Sequence, residues 1–359
     1  MATDPRFDVP AEIAVRVAPS DMRAASAALF EAMGMARADA VNAADVLVYA
    51  DERGIDSHGV SNMFPVYRTW FESGHLNPRP TPRIVAEAPA VATIDDDRGL
   101  GLATCHAAMR LAIDKARDCG IGSVAVANSG HFGAAAYWAH LAIEHDMIGV
   151  ALTVGGLQVL PTFGARPMVG LNPIAVAAPA ATEPPFVFDA SMSSVAGNKI
   201  RIAKRLGVTV APGWIAETDG SPILTESPVP ERFHMLPLGG TREGGSHKGY
   251  GLATVVDILA GILSGNGPGF LHVGEVAHHF VAYRLDAFGD PARFKADMDD
   301  LLRGLRDCPT APGEDRVVYA GLPEFETQQE RQVGGIPYHP EVLAWFRSTA
   351  VELGCSIDL

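Results

Sequence analysis

Three short polar clusters, each set among glycines, carry the side chains of this sequence best suited to proton transfer and anion binding. They are Asp56–Gly59 (Asp-Ser-His-Gly), Asn128–Gly133 (Asn-Ser-Gly-His-Phe-Gly) and Gly244–Gly251 (Gly-Gly-Ser-His-Lys-Gly-Tyr-Gly). Histidine titrates near neutral pH and can give or take a proton, and glycine lets a ligand approach the backbone closely. A single serine–histidine pair in a loop is more often a helix cap beside a surface imidazole, so the clusters gain weight only together.

Lys248 stands where an apolar helical pattern begins. A cation there opposes the helix dipole unless an anion neutralises it, and the free N–H groups of a helix start bind the same kind of anion. The position therefore predicts a site for a phosphate-bearing cofactor, with a simply solvated lysine as the alternative.

Other well-known catalytic patterns are incomplete or absent. The stretch Arg98–Thr104 follows a strand and opens a helix like a dinucleotide fingerprint, but Thr104 replaces its third glycine and the next strand ends in Asn128, not in an acid. The sequence has no phosphate-binding GxxxxGK[ST], no GxSxG nucleophile turn and no HExxH. His278 and His279 are adjacent in a strand pattern, so we expect them on opposite faces, one packed and one solvated. We predict no metal site.

Composition excludes several classes of protein. The 359 residues include 28 Lys and Arg against 42 Asp and Glu, a net charge of −14, which argues against nucleic-acid binding. The longest apolar run, Gly249–Leu263, is shorter than the roughly 20 residues of a membrane span and contains Asp257, so we expect no membrane association. Residues 1–10 lack an apolar signal core. The four cysteines form no CxxC pair, which favours reduced, buried thiols in a cytoplasmic protein.

The periodicity changes twice along the chain. Residues 20–71 are mostly helical, and a proline-rich stretch at 77–82 ends them. Strands and helices then alternate to about residue 289, and residues 249–263 read as a helix that is apolar nearly all round and therefore central. Helical patterns return after Asp290 and end at Gly354. We predict a mixed α/β protein, with residues 1–82 and 290–359 forming one domain and residues 83–289 another.

The clusters, in this order, resemble the malate/L-lactate dehydrogenase family of the type that lacks a Rossmann fold. The matching segments run from about residue 24 to 354 and are Arg53–Gly59, Asn128–Gly133, Asn172–Ala175 with Ala178-Pro179, Asp189–Ser191, Lys248–Leu252 and Gly335–Pro337. Several ordered motifs are far more specific than any one of them.

The resemblance implies a cofactor-binding domain around a mixed sheet, flanked by a helical domain built from both termini, in a homodimer with its active site near the subunit interface. It also implies an oxidoreductase that uses NAD or NADP and transfers a hydride between the nicotinamide and a small, anionic 2-hydroxy or 2-oxo acid.

Site residues follow from the same resemblance. In some relatives the acid/base corresponds to His58 and in others to His131; we favour His58, with Ser57 orienting it and His131 contacting substrate or nicotinamide. The residues implied to bind the cofactor are Phe132, Gly133, Ala134, Asn172, Asp189, Ala190, Ser191, His247 and Lys248.

The sequence also departs from the family pattern. Many relatives carry an arginine shortly after Ser-His-Gly, a natural clamp for a substrate carboxylate, whereas here none occurs before Arg68; Arg53 and Arg166 are the alternative cations. The late Pro-Gly-Glu of the family is Ala320–Leu322 here, with Glu324 two residues on. The alternatives are a cyclic imino-acid reductase of the same family, opposed by Lys199 where such reductases carry an acid, a hydrolase on an unrecognised fold, and a binding protein without turnover.

Overall fold

The computed structural model describes residues 7–272, 274 and 276–359. Residues 1–6, which belong to the stretch without an apolar signal core, lie outside the described residues. The helices in this part of the chain are α1 (Pro19–Ala32), α2 (Arg37–Glu52), α3 (Val60–Glu72), α4 (Gly101–Cys119), α5 (Ala135–His140), α6 (Gly197–Leu206), α7 (Ser246–Val256), α8 (Pro291–Arg306), α9 (Leu322–Gly334) and α10 (Pro340–Leu353). The strands are β1 (Val15–Val17), β2 (Arg83–Ala88), β3 (Val91–Asp95), β4 (Ile121–Ser129), β5 (Met147–Val154), β6 (Ile174–Ala178), β7 (Phe186–Ala190), β8 (Ile215–Ala216), β9 (His234–Met235), β10 (Val276–Arg284) and β11 (Ile336–Tyr338).

A seven-stranded sheet forms the centre, in the order β2-β3-β4-β10-β5-β6-β7. The pair β3–β4 is parallel and is connected by α4, whereas the other neighbouring strands are antiparallel. The predicted mixed α/β class is confirmed. Strands β5 and β6 begin and end where their apolar, β-branched runs do, because such residues fit a sheet covered on both faces.

Helix α4 packs directly on β4, and a glycine makes the close approach possible. A Cβ atom on Gly122 would lie 1.9 Å from the carbonyl oxygen of Ala112 in the helix. The helix therefore holds β4, and the loop that follows it, in a fixed position.

The two ends of the chain meet beside the sheet. Strand β1 pairs antiparallel with β11, and a cluster of aromatic rings joins the first and last helices. The ring centroids of Phe30 and Phe64 lie 4.3 Å apart, and those of Phe64 and Phe346 lie 5.1 Å apart. These contacts support the predicted division into a helical unit from both termini and a central unit, which stays a proposal.

Two expectations were wrong. The helix predicted over residues 249–263 is α7, continued by a π-helical turn at Asp257–Ile262, and it is not central in the single chain. One of its faces exposes large apolar side chains: Leu252, Val255, Ile258, Ile262 and Leu263. The four cysteines are unpaired as expected, but only Cys105 is buried, and Cys119 and Cys308 are exposed. No helix in the described ranges combines the length and apolar content needed to cross a bilayer.

Candidate active site

The imidazoles of His58 and His131 lie together, although they are 73 positions apart in the sequence. Their ring centroids are 5.7 Å apart and the ring planes differ by 16°, so the rings are stacked. His58 lies in the loop between α2 and α3, and His131 in the loop between β4 and α5. Both side chains are half-buried, which leaves them accessible to a small ligand.

The loop of His58 is attached to a buried carboxylate. Asp51, at the end of α2, accepts hydrogen bonds from the Val60 N–H (3.1 Å) and the Tyr338 hydroxyl (2.8 Å). Its Oδ1 atom would lie 1.5 Å from a Cβ atom on Gly59, so only glycine fits beside His58. Burial, with the nearby charge of Asp56, raises the pKa of Asp51 to about 7, although these hydrogen bonds oppose the rise.

A cation from the far end of the sequence completes this support. Arg331 on α9 donates to Asp56 Oδ1 at 2.7 Å and to the main-chain oxygen of Asp51. Ser57 Oγ lies 2.9 Å from His58 Nδ1, and no hydrogen bond from the residues that the structure describes occupies His58 Nε2, which is open to a ligand.

His131 is oriented through its Nδ1 atom. The Tyr67 hydroxyl lies 2.7 Å from this atom, and the main-chain N–H of Gly133 donates to it at 3.3 Å. Because a main-chain N–H can only donate, Nδ1 must be the unprotonated nitrogen of the neutral ring. The proton of neutral His131 is therefore on Nε2, which becomes a hydrogen-bond donor.

The loop of His131 rests on buried polar groups. The Nε2 atom of His278 donates to the Gly130 carbonyl at 3.0 Å, and its Nδ1 lies 2.8 Å from Thr153 Oγ1. The Ser129 hydroxyl donates to Asp96 Oδ2 at 2.5 Å. Burial raises the pKa of Asp96 to about 7 despite this bond.

The expected contrast between the two neighbouring strand histidines was wrong, because both are buried. His278 has no exposed surface, and His279 lies 2.6 Å from Ser123 Oγ through its Nε2 atom. The opposite faces of β10 are both covered, so neither imidazole is solvated.

Both candidate catalytic histidines are neutral at physiological pH. Burial lowers the pKa of His58 to about 4. Burial, followed by the charges of His58, His278 and Arg201, lowers the pKa of His131 to about 3. A neutral imidazole has one unprotonated nitrogen and one N–H group. Each ring can therefore accept a proton from a hydroxyl group or donate a hydrogen bond to a carbonyl oxygen.

The segment after His131 contributes main chain to this site. The Phe132 ring is fully buried, stacked on His278 at 4.6 Å between centroids, so it packs in the core. Gly133 has a φ of 79°, and Ala134 precedes the first turn of α5. A cofactor contact at these three positions would be made mainly by the main chain.

The side chains of Asp189 and Asn172 form hydrogen bonds with main-chain groups of the protein. The Asp189 carboxylate accepts the Ala136 N–H at 2.8 Å and so caps α5, and burial raises its pKa to about 6. Asn172 is fully buried and donates to the Ala253 carbonyl at 2.9 Å, which ties the start of β6 to α7. Ala190 ends β7, and Ser191 follows, with its hydroxyl 3.1 Å from that of Ser193.

His247 and Lys248 lie in the first turn of α7, because the helix begins at Ser246 and not at residue 249 as the sequence indicated. Both are exposed, and Arg242 Nη1 lies 3.0 Å from His247 Nδ1. The residue at the N-cap of α7, Gly245, has no side chain that could cap the helix. The main-chain N–H groups of Ser246 and Lys248 already donate to carbonyl oxygens just ahead of the helix, so an anion here would be held mainly by the three basic side chains.

The cationic cluster on α7 and the histidine pair are connected indirectly. The Leu238 N–H, ahead of α7, donates to the Met192 carbonyl at 2.9 Å. From there the chain leads into α6, where Asn198 Nδ2 donates to the Ser57 carbonyl at 2.6 Å. Within the ranges described, no contact joins Lys248 directly to either histidine.

Sequence reasoning missed several residues of this site. In the sequence, Tyr67 is one of several large apolar residues at helical spacing, and His278 belongs to the pair expected to be half packed and half solvated. A hydroxyl-bearing side chain nine residues after His58 was the available signal for Tyr67. No group of three or more potential metal ligands occurs among the residues that the structure covers.

Comparison with known proteins matches this arrangement to one family. The family profile described as malate/L-lactate dehydrogenase matches residues 17–347. A malate dehydrogenase of Pyrococcus abyssi is 39% identical over 333 residues, covering 90% of each chain. An L-sulfolactate dehydrogenase of Methanocaldococcus jannaschii is 33% identical, covering 90% of this chain and 93% of the relative.

Solved structures agree. That of the malate dehydrogenase from Pyrococcus horikoshii superposes with a TM-score of 0.89 at 32% identity, covering 98% of this chain and 99% of the other. Fold, motif order and sequence identity thus agree along nearly the whole chain, which belongs to the malate/L-lactate dehydrogenase family of oxidoreductases.

Proposed function

We propose that this enzyme interconverts a small 2-hydroxy acid and the corresponding 2-oxo acid with a nicotinamide cofactor, and that His58 is its acid/base. The stacked pair of His58 and His131 is the observation that carries the proposal. Reduction of a ketone creates negative charge on oxygen, and oxidation of an alcohol requires a base for the hydroxyl proton, so one site needs both a base and a donor.

The hydrogen bonds divide these roles. Neutral His131 presents Nε2–H and can only donate to the substrate oxygen, because Gly133 and Tyr67 occupy its Nδ1. At Nδ1, His58 faces the Ser57 hydroxyl, which can accept a hydrogen bond from the ring N–H. In that tautomer Nε2 of His58 is bare, so His58 takes the hydroxyl proton while His131 stabilises the charge on oxygen.

The low pKa values favour the oxidising direction in the resting enzyme. A base with a pKa of about 4 is fully unprotonated at neutral pH and ready to accept a proton. In the reducing direction His58 must first bind a proton. An anionic substrate beside the ring would help, because a nearby negative charge raises the pKa of an imidazole.

The first turn of α7 and the segments around it fit a dinucleotide. His247 and Lys248 would hold its pyrophosphate, main chain at Phe132, Gly133 and Ala134 would approach the nicotinamide, and the region of Asp189, Ala190 and Ser191 would reach a ribose. Trp214 and Leu238 line an open depression next to the α7 loop that suits an adenine ring. When bound, the nicotinamide supplies or accepts the hydride. Both NAD and NADP fit this donor set.

A second copy of the chain would cover the exposed apolar face of α7. This face consists of the five large apolar side chains from Leu252 to Leu263 described above, an unusual density for a surface in contact with water. Burying them between two copies would place the dimer interface directly behind the first turn of α7. We therefore retain the homodimer as part of the proposal, and the unpaired thiols support a cytoplasmic location.

Cofactor binding and turnover test the function separately. The purified protein is titrated with NADH and with NADPH while its tryptophan fluorescence is followed, and then supplied with 2-oxo acids and cyclic imines. We expect binding below millimolar concentration and consumption of cofactor with at least one 2-oxo acid. Turnover of cyclic imines alone would replace the hydroxy-acid assignment by the reductase alternative.

Lys248→Ala tests the cationic cluster. The lysine is exposed and unpaired among the described residues, so its loss should weaken cofactor binding without changing the far-ultraviolet circular dichroism. Unchanged cofactor affinity would show that the pyrophosphate does not bind at the start of α7. Lys204→Ala, an exposed lysine on α6, is the matched control.

A further inference from the structure

The arginines considered from the sequence are not placed to bind a substrate carboxylate. Arg53 is buried, with its guanidinium 4.6 Å from the centre of the Tyr49 ring. Arg68 is held by two glutamates, each at 2.7 Å. Arg166 is exposed in the connection between β5 and β6, and no contact within the described ranges joins it to either histidine loop.

One face of α6 packs along the loop that carries His58. Asn198 Nδ2 donates to the Ser57 carbonyl at 2.6 Å, and Arg205 Nη2 lies 3.5 Å from Asn62 Oδ1. Residues three and seven positions apart lie on the same side of a helix, so Arg201 shares this face, between the two contacts. Arg201 therefore lies on the side of α6 that faces the His58 loop and the start of α3.

Arg201 is a cation without a counter-ion. Its side chain is exposed, and it makes no hydrogen bond, ion pair or ring contact with any residue that the structure covers. Its positive charge nevertheless reaches the site, because after burial and the two neighbouring histidines it is a further cause of the low pKa of His131. A ligand anion next to the imidazoles would therefore be attracted to this guanidinium.

We propose that Arg201 binds the carboxylate of the substrate, in place of the arginine that many relatives carry after Ser-His-Gly. A guanidinium offers two parallel N–H groups to a carboxylate, which fixes the orientation of the acid as well as adding affinity. Arg201 thereby makes the enzyme prefer free 2-oxo acids to their esters. The inference rests on the proposed function, since it assumes that the histidine pair acts on an oxo or hydroxy acid.

Matched acid and ester substrates test this assignment. The pairs are pyruvate with methyl pyruvate, and oxaloacetate with dimethyl oxaloacetate, each reduced with the preferred cofactor. For Arg201→Met we expect kcat/KM to fall by about 10- to 100-fold for the acids, the value of one charge-assisted contact. We expect it to change less than twofold for the esters. Arg201→Lys should recover part of the loss, because it keeps the charge but not the paired N–H groups.

Controls separate this inference from the proposed function. Lys204→Met removes the same charge from the same helix and should leave both substrates unaffected. The cofactor dissociation constant of Arg201→Met should equal that of the wild type, and a weakened one would overturn the assignment to substrate. If the wild type is active and Arg201→Met still prefers acids, only this inference fails. If the wild type neither binds NADH or NADPH nor reduces any of the four compounds, the proposed function fails and the inference with it.

Discussion

The two loops that carry the histidine pair are supported in different ways. The loop of His58 is attached to Asp51 and Arg331 and so depends on contacts between the beginning and the end of the chain. The loop of His131 rests on His278 and Asp96, which belong to the central sheet and the turn that follows β3. The distance between the two rings therefore depends on how α2, α3 and α9 pack beside the sheet.

The loops also differ in charge. Asp56 and Arg331 form an ion pair at 2.7 Å beneath His58, whereas neutral hydroxyl and imidazole groups support the main chain beside His131. Each loop nevertheless has a buried carboxyl whose pKa is raised to about 7. The position of the His58 loop therefore depends on an ion pair, whereas the position of the His131 loop depends on hydrogen bonds.

Replacing the proposed acid/base should have the largest effect. His58→Gln keeps a polar side chain but cannot transfer a proton, so we expect kcat to fall by about 10²- to 10⁴-fold in both directions. His131→Gln keeps a donor and should cost only about tenfold. Steady-state kinetics at saturating cofactor measure both, and an equal cofactor dissociation constant shows that the fold is intact. A reversed order of the two losses would transfer the acid/base role to His131.

The pH dependence of the two directions should differ in sign. Because the pKa of His58 is lowered to about 4, the base is neutral throughout pH 5–8, and kcat/KM for oxidation should not depend on His58 in that range. The protonated form needed for reduction becomes about tenfold rarer with each pH unit above 4, so kcat/KM for reduction should decrease accordingly. Profiles for one hydroxy acid and its oxo acid measure this. A plateau of the reduction rate up to pH 6.5 would show an ordinary imidazole instead.

Removing the charge beneath His58 tests the difference between the loops. Arg331→Met leaves Asp56 without its partner beside a buried Asp51, and such a loss costs about 2–3 kcal/mol, at the lower end because Asp56 is 37% exposed. Urea unfolding followed by fluorescence measures it. Arg16→Met, which removes an exposed pair with Glu330, is the control and should cost less than about 1 kcal/mol. Equal losses would mean that the buried network adds nothing.

Much of the fold could be predicted from the sequence, and the errors have physical reasons. The apolar, β-branched runs of β5 and β6 have one good structural solution and so predict strands. Strand β2 gives no such signal, because all six of its residues are exposed at the sheet edge and it lacks alternation. The central position predicted for α7 was wrong because an apolar face looks the same whether it packs inside its own chain or remains exposed on its surface.

Site residues that lie in sequence motifs could be predicted, whereas those brought to the site only by packing could not. His58, His131 and Lys248 stand out because glycines flank them. Tyr67 and Arg201 do not, because their proximity to the histidines depends on how α3 and α6 lie against two distant loops. Contacts of that kind have no local pattern in a single sequence.

The smallest predicted effect concerns the hydrogen bond that orients His131. Tyr67→Phe removes the hydroxyl 2.7 Å from Nδ1 but leaves the Gly133 N–H in place, so the tautomer is retained with weaker support. Losing one such bond costs about 1 kcal/mol, and we expect kcat to fall about fivefold while the KM of the substrate is little changed. A loss comparable to that of His58→Gln would mean that the Tyr67 hydroxyl itself takes part in proton transfer. The double variant with His131→Gln decides this, because a hydroxyl that acts only through His131 adds nothing once that ring is gone.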